Sequence, residues 1–447
     1  MIEHPLLCAP RPGAIFARSA GDPITVDTFL RDIAALAALL PGRRHVVNLC
    51  RDRYRFAVGF AAALCRRQVT LLPPHDTAGM LDQLAIDYPD VYCLADTAPP
   101  NGLAVFRYPS ELVRDTASHA VPCFAADQPA AVLFTSGSTG RPQPHARSWG
   151  DLVNSTLAAG RRLGIASLGE ASLLGTVPHQ HSYGLESLLM LALQHGLVLH
   201  AERPFYPADI VAELSAAARP RLLVTTPVHL RILLAEPGEL PPVDLLLSAT
   251  APLSPELARE AEARFAVALF EIYGCSEAGQ IAARRTALTE EWRCLDGISL
   301  RQDAAGTWVS GAPIAVETLL SDVIELRDPE RFLLLGRTAD MVNVAGKRTS
   351  LAHLNHHLNA IEGVLDGVFV AADDDGNAVG RLMAFAVAPG LSAEDILVAL
   401  RRRIDAAFLP RPLHLVAELP RNTLGKLPRE AVTHMLAESR GAIAQET

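Results

Sequence analysis

An apolar strand running straight into a loop of glycines and hydroxyl residues constrains this chain more than any other feature. Ala130 to Phe134 reads as a buried strand, and Thr135-Ser136-Gly137-Ser138-Thr139-Gly140-Arg141-Pro142 follows it. Glycine lets backbone N–H groups come close to an anion, and successive N–H groups in a tight loop form an anion-binding nest. The Ser and Thr hydroxyls add donors, and Pro142 stiffens the far side. A surface turn could share this composition, but the strict order after a strand favours a polyphosphate ligand. The loop is not a Walker A loop, because no Lys follows Gly140.

Around that loop, strand and helix patterns alternate. Helices are expected over Val26–Leu40, Tyr54–Arg67 and Ala78–Ile86, with strands at His45–Cys50, Val69–Leu72 and Val91–Ala95. Val105 to Pro129 is less regular. Beyond the loop, a helix is expected near Trp149–Leu163. Strands then alternate with helices up to a last strand at Val267–Ile272, including a strand at Ser172–Val177 and helices at Gly184–Gln194 and Ser254–Phe265. The pattern predicts an α/β fold with mainly parallel sheets covered on both faces and ligands at strand C-termini. Trp292 to Leu335 reads as β-rich. The tail reads as a small α+β unit: a helix at Leu351–Leu358, strands at Val364–Ala371 and Leu382–Val387 joined by the polar turn Asp373–Asn377, and a helix at Ala393–Phe408. The expected division is residues 1–336 and 337–447.

A chain of 447 residues can bury a large core and hold two or more domains. Its formal charge of −9 argues against a general nucleic-acid binder. Seven scattered cysteines without a C-x-x-C pair read as reduced thiols of a cytoplasmic protein. No signal peptide is evident, and no apolar stretch reaches membrane-spanning length.

The order T-S-G-S-T-G-x-P closely resembles the phosphate loop of the adenylate-forming enzymes, which include acyl- and aryl-CoA synthetases, peptide-synthetase adenylation domains and luciferase. The family continues with Lys-Gly where this chain has Gln143-Pro144, so one cationic phosphate contact is expected to be missing. Tyr273-Gly274-Cys275-Ser276-Glu277 is similar to the family's Y-G-x-[TS]-E. That resemblance implies that Tyr273 and Gly274 frame the adenylate, Ser276 supports the phosphates and Glu277 binds Mg²⁺. A carboxylate at a strand exit near a phosphate loop suits that ion on chemical grounds too. Ser248-Ala249-Thr250-Ala251-Pro252-Leu253 resembles G-G-A-P-L, whose backbone lines the adenine, with Ala249 and Thr250 in place of the glycines and Ala251 matched. Pro178-His179-Gln180-His181-Ser182-Tyr183-Gly184 resembles P-x-x-H-x-x-G, which implies that His181, not His179, lies beside the substrate carboxyl.

Asp322 matches the family's ribose-binding Asp, and Arg337 resembles the family's Arg that contacts ribose or phosphate. The following hinge departs from the family pattern at Ala339 and Asn343. Leu419 to Arg429 closely resembles L-P-[RK]-[TN]-x-x-G-K-[IL]-x-[RK], implying that Lys426 stabilises charge during adenylation. His353, His356 and His357 share helical spacing and read as a solvated or partner-facing side, with a metal site as the alternative. Arg401-Arg402-Arg403 reads as a solvated helix end, with a carrier domain or CoA phosphates as the alternative.

The resemblance implies ATP-dependent activation of a carboxylic acid as acyl-AMP, with pyrophosphate released, and then transfer to a thiol. The expected acid is small and aromatic, such as a hydroxybenzoate. The expected thiol is the phosphopantetheine of an acyl carrier protein, with free coenzyme A as the alternative. A non-catalytic nucleotide-binding homologue is the alternative of another class, and intact Lys426 and Glu277 argue against it. A phosphotransferase or NTPase lacks its Walker residues.

Overall fold

The computed structural model describes residues 2–8, 11, 13–98, 102–117, 119–135, 143–337, 341–344, 347–371, 382–421, 427–428, 431 and 434–435. Two large sheets organise the first three-quarters of the chain. One has six strands in the order Gln143–Ser148, Pro129–Thr135, Val69–Leu72, His45–Asn48, Val91–Ala95 and Val105–Arg107. Its pairings are parallel except for Gln143–Ser148 at the edge, which runs antiparallel to Pro129–Thr135.

The other sheet has eleven strands. Its parallel centre contains Leu269–Cys275, Leu245–Ser248, Arg221–Thr225, Ser172–Gly175 and Val198–His200. These strands are leucine-rich because both faces are covered, and Arg221–Thr225 and Leu245–Ser248 are buried throughout. Antiparallel strands extend the sheet from Leu269–Cys275 through Gly279–Arg284 and Trp292–Cys294 to Arg331–Arg337 and Asp322–Asp328.

Helices Arg53–Cys65 and Trp149–Leu163 contribute to the core shared by the two sheets. Arg53–Cys65 is buried on nearly every side, which explains its run of alanines in place of an amphipathic pattern. Gly59 permits the close approach, since a Cβ there would lie 2.7 Å from Leu94 Cδ2. Arg53 adds polar stitching. Its Nη1 donates to the His200 and Glu202 carbonyls at 2.6 and 2.9 Å, and its Nη2 to the Gly175 carbonyl at 2.9 Å. Burial pulls its pKa down to about 10.

Toward the C-terminus, helices Leu351–Asn359 and Ala393–Leu400 and strands Asp366–Ala371, Leu382–Val387 and Leu413–Leu415 contribute to a separate apolar core. The helix expected to run to Phe408 ends at Leu400. Asp405 then caps a short 3₁₀ turn at Ala406–Phe408, accepting from the Ala407 N–H at 3.0 Å, so the chain turns instead of continuing. Arg401–Arg403 form the exposed turn between them. His353 and His357 pack edge to face at 4.6 Å. The polar turn Asp373–Asn377 lies outside the described residues.

Two further differences bear on the site. The sequence runs from loop to helix without signalling Gln143–Ser148, an edge strand that tolerates Pro144 and lacks apolar alternation. The helix expected at Gly184–Gln194 contains a π-helical stretch at Leu185–Met190, which begins one residue after Gly184.

Candidate active site

Thr135 and Gln143, which flank the glycine–hydroxyl loop in the sequence, are register partners in the sheet. Ser136, Gly137, Ser138, Thr139 and Gly140 lie outside the described residues, as does Lys426. Arg421 precedes the stretch that carries Lys426, and its Nε and Nη2 grip Asp366 at 2.6 and 2.7 Å. Arg337 is described in its backbone, where it pairs with Asp322.

Tyr273 and Asp322 meet directly. The phenol donates to Asp322 Oδ2 at 2.6 Å, and its ring packs against both Trp292 and Phe332, at 5.6 and 5.5 Å. The register shifts between Tyr273 and Gly274, a bulge that re-aims the strand end. A side chain at 274 would strike the Gly279 carbonyl, so the bulge needs glycine. Burial, then the Glu277 carboxylate, pushes the Cys275 thiol far up, and it remains protonated. Ser276 turns the chain to Glu277, whose Oε1 lies 3.8 Å from His145 Nε2 on Gln143–Ser148. Both side chains are partly open to solvent.

Ala249 is buried, while Thr250 and Ala251 are half-buried at the exit of Leu245–Ser248. Thr250 has φ +79°, a left-handed conformation that a β-branched residue adopts at a cost. The segment is anchored by Glu271, which sequence reasoning missed. Its carboxylate accepts from the Leu253 N–H at 3.0 Å, Arg284 Nε at 2.8 Å and Thr286 Oγ1 at 2.7 Å. The available signal was a charge inside the otherwise apolar strand Leu269–Cys275, which a buried site must pair.

The two histidines of the Pro178–Gly184 segment differ in burial. His179 is fully buried, pairs through Nε2 with the Cys50 carbonyl at 2.9 Å and packs on Phe56 at 4.5 Å. Burial, then the nearby Arg53 charge, lowers its pKa to about 3. His181 is half-buried and precedes the helical turn that starts at Ser182. A side chain at Gly184 would collide with the Pro178 carbonyl, so glycine permits this tight turn. The segment is tied to the Glu277 hairpin by Glu186, which takes bonds from Ser182 Oγ and the Gln280 N–H at 3.1 and 3.3 Å.

The AMP-binding enzyme family profile matches residues 44–314. The chain belongs to that family. Among curated relatives it is 30% identical over 300 residues to 4-coumarate–CoA ligase of Rhodobacter capsulatus, covering 66% of this chain and 74% of the relative. It is 20% identical over 322 residues to 3,4-dihydroxybenzoate–[aryl-carrier protein] ligase of Bacillus anthracis, covering 69% and 74%. Its fold matches o-succinylbenzoate CoA synthetase of Bacillus subtilis with its acyl-adenylate intermediate, with a TM-score of 0.82 at 17% identity over 97% of this chain and 98% of that one. The same enzyme with ATP and magnesium gives 0.81 at 18% identity, over 96% and 99%. The family's mixed α/β architecture is therefore present across nearly the whole chain.

Proposed function

We propose that this protein joins a carboxylic acid to a thiol through an acyl-adenylate. What carries this reading is the meeting of Tyr273 and Asp322 at 2.6 Å, with Tyr273 on the strand that ends beside Glu277, Asp322 at the start of its own strand, and Glu277 3.8 Å from His145 on the strand that follows the phosphate-type loop. A buried ring beside a carboxylate suits a nucleoside, and the loop suits its phosphates. In the first step the acid's carboxylate attacks the α-phosphorus of ATP. The P–O bond to pyrophosphate breaks, and acyl-AMP forms. In the second, a thiolate attacks the acyl carbonyl and AMP leaves, giving a thioester.

Thr135 to Gly140 hold the β- and γ-phosphates through N–H and hydroxyl donors, with Ser276 beside them. Asp322 accepts from the ribose hydroxyls, and Arg337 adds charge there. Ala249, Thr250 and Ala251 line the adenine, Tyr273 and Gly274 frame the adenylate, and His181 sits beside the reacting carboxyl. Glu277 offers a single partly exposed carboxylate, a donor set that fits Mg²⁺ completed by phosphate oxygens and water. When bound, that ion neutralises phosphate charge. Lys426, on a lid formed by residues 337–447 over a body formed by 1–336, stabilises charge in the adenylation step.

The acid proposed is small and aromatic, and the thiol is the phosphopantetheine of an acyl carrier protein in the cytoplasm. All seven cysteines are free thiols, consistent with a reducing compartment. Among the described residues no helix is long and apolar enough to cross a membrane. Coenzyme A is the second reading, favoured by the 4-coumarate–CoA ligase relative. ATP–pyrophosphate exchange across aryl, short-chain and long-chain acids tests the first step, with Lys426→Ala as control. Acid-dependent exchange that collapses in the control is expected. ATP binding without exchange for any acid would favour a non-catalytic nucleotide binder. Rates of thioester formation on carrier protein and on coenzyme A decide the thiol.

A further inference from the structure

Arg147 is buried to 4% exposure, yet its Nε and Nη2 have no hydrogen-bond partner. A guanidinium held this way is costly unless something pairs with it. Its placement indicates what that partner is. Gln143, His145 and Arg147 alternate on one face of the edge strand, opposite Thr135, Leu133 and Ala131 of its neighbour. His145 reaches Glu277, and Arg147 reaches Gly279 on the same hairpin. A Cβ at Gly279 would lie 2.6 and 2.7 Å from Arg147 Nη1 and Nη2. The guanidinium therefore fills the volume a side chain two residues after Glu277 would take.

The strand begins at Gln143, just after the loop, so Arg147 lies two residues farther along it than His145, roughly 7 Å. The next residue of the hairpin, Gln280, is fastened to the stretch that follows His181. Its N–H donates to Glu186 Oε2 at 3.3 Å and its Nε2 to Ser187 Oγ at 2.9 Å. Arg147 thus lies against the hairpin that is fastened to the stretch following His181.

We propose that Arg147 reads a second oxygen on the acid substrate, at the end remote from the reacting carboxyl: a phenolic oxygen or a second carboxylate. This rests on the acyl-adenylate reading above. The planar fork of Arg suits such an oxygen in a site shielded from water. A substrate lacking it would leave the guanidinium unpaired, and a site of that kind discriminates strongly. The same fork could instead take a phosphate oxygen of ATP, so the test separates the two sources.

The test compares benzoate with 4-hydroxybenzoate and terephthalate, and cinnamate with 4-hydroxycinnamate. Wild type, Arg147→Met and Arg147→Lys are measured for kcat/KM in pyrophosphate exchange, for ATP dissociation constant without acid, and for acid-induced shifts in melting temperature. Wild type should favour the oxygenated member of each set by on the order of 100-fold. Arg147→Met should erase that preference while leaving the ATP dissociation constant within about twofold, and Arg147→Lys should keep part of it. Equal losses for all acids with weakened ATP binding would assign the group to phosphate and overturn the proposal. An unchanged preference in Arg147→Met would also overturn it. If Arg147→Met does not fold, the Arg147→Lys ratio decides. Absence of exchange in wild type would sink the adenylation reading. The melting shifts then stand apart: stabilisation by oxygenated acids that disappears in Arg147→Met still supports recognition by Arg147, and its absence refutes it.

Discussion

Glu271 and Arg147 are equally buried, at 4% exposure each, and both lie beside the site. Glu271 is fully engaged, by a backbone N–H, a guanidinium and a hydroxyl. Arg147 keeps two nitrogens without a partner. A buried charge satisfied from within the fold belongs to the scaffold, whereas one left open is prepared for a group that arrives. The comparison fails first at Glu271→Ala. That change leaves the Leu253 N–H without its acceptor and the Arg284 guanidinium without its carboxylate, and removing one member of a buried pair costs roughly 3–5 kcal/mol. Chemical denaturation of Glu271→Ala should show that loss, while Arg147→Met should stay within about 1 kcal/mol of wild type, because no internal pair is broken. Similar losses in both variants would make Arg147 scaffold as well.

His179 stands between these cases, with Nε2 paired and Nδ1 without a partner. Its folded pKa, about 3, lies below the ordinary value of 6.5. Between those values the unfolded chain binds a proton that the folded chain refuses. Its contribution is therefore complete above pH 6.5 and is lost as pH falls toward 3. The slope is about 1.4 kcal/mol per pH unit at most. His229, lowered to about 4 by burial and then by Arg203, acts in the same direction. Denaturation midpoints from pH 7 to 4 should fall less steeply in His179→Gln, which keeps a donor for the Cys50 carbonyl. Identical slopes would show that the ring is not what resists protonation.

What could be read from the sequence follows from how locally each feature is encoded. Tyr273 to Glu277, a bulged strand end with the turn after it, and Pro178 to Gly184, a turn into a helix, demand specific residues in a fixed order, so their motifs were visible, although the strand expected to end at Ile272 runs on to Cys275. The glycines at 274 and 184 show why: in each, a Cβ would meet a carbonyl oxygen. Glu271 was not visible, because its partners Leu253 and Arg284 are 18 and 13 residues away on different elements. Gln143–Ser148 was not visible either. Its order comes from pairing with Pro129–Thr135, not from its own alternation. Without that strand, neither His145 beside Glu277 nor Arg147 beside Gly279 could be anticipated, and the chain seemed only to lack a cation at Gln143.

Tyr273 sharpens the comparison at smaller magnitude, because its hydroxyl is engaged inside the fold and yet faces the nucleotide in the proposed function. Tyr273→Phe removes one hydrogen bond to Asp322, worth about 0.5–1.5 kcal/mol. If Asp322 binds ribose, ATP affinity should drop roughly 2- to 10-fold with the acid KM unchanged. If Asp322 only braces the sheet, stability should fall by a similar energy and ATP affinity should not move. Isothermal titration with ATP and thermal unfolding separate the two.

The smallest effect is expected at Thr250, where the cost lies in the backbone and not in an unpaired group. A β-branched residue at φ +79° is strained by on the order of 1–3 kcal/mol. Glycine relieves that strain but restores about 0.5–1 kcal/mol of unfolded-state freedom. Thr250→Gly should therefore stabilise the protein by about 1 kcal/mol, and Thr250→Ala, which still carries a Cβ, by less. The anchor at Glu271 holds the segment to the strand, so the two changes are coupled through Leu253. In an Glu271→Ala background the chain at 250 is free to leave the left-handed region, and the gain from glycine should shrink toward zero. Denaturation of the four combinations measures that coupling. An undiminished gain would mean that Glu271 stabilises the fold without imposing the turn.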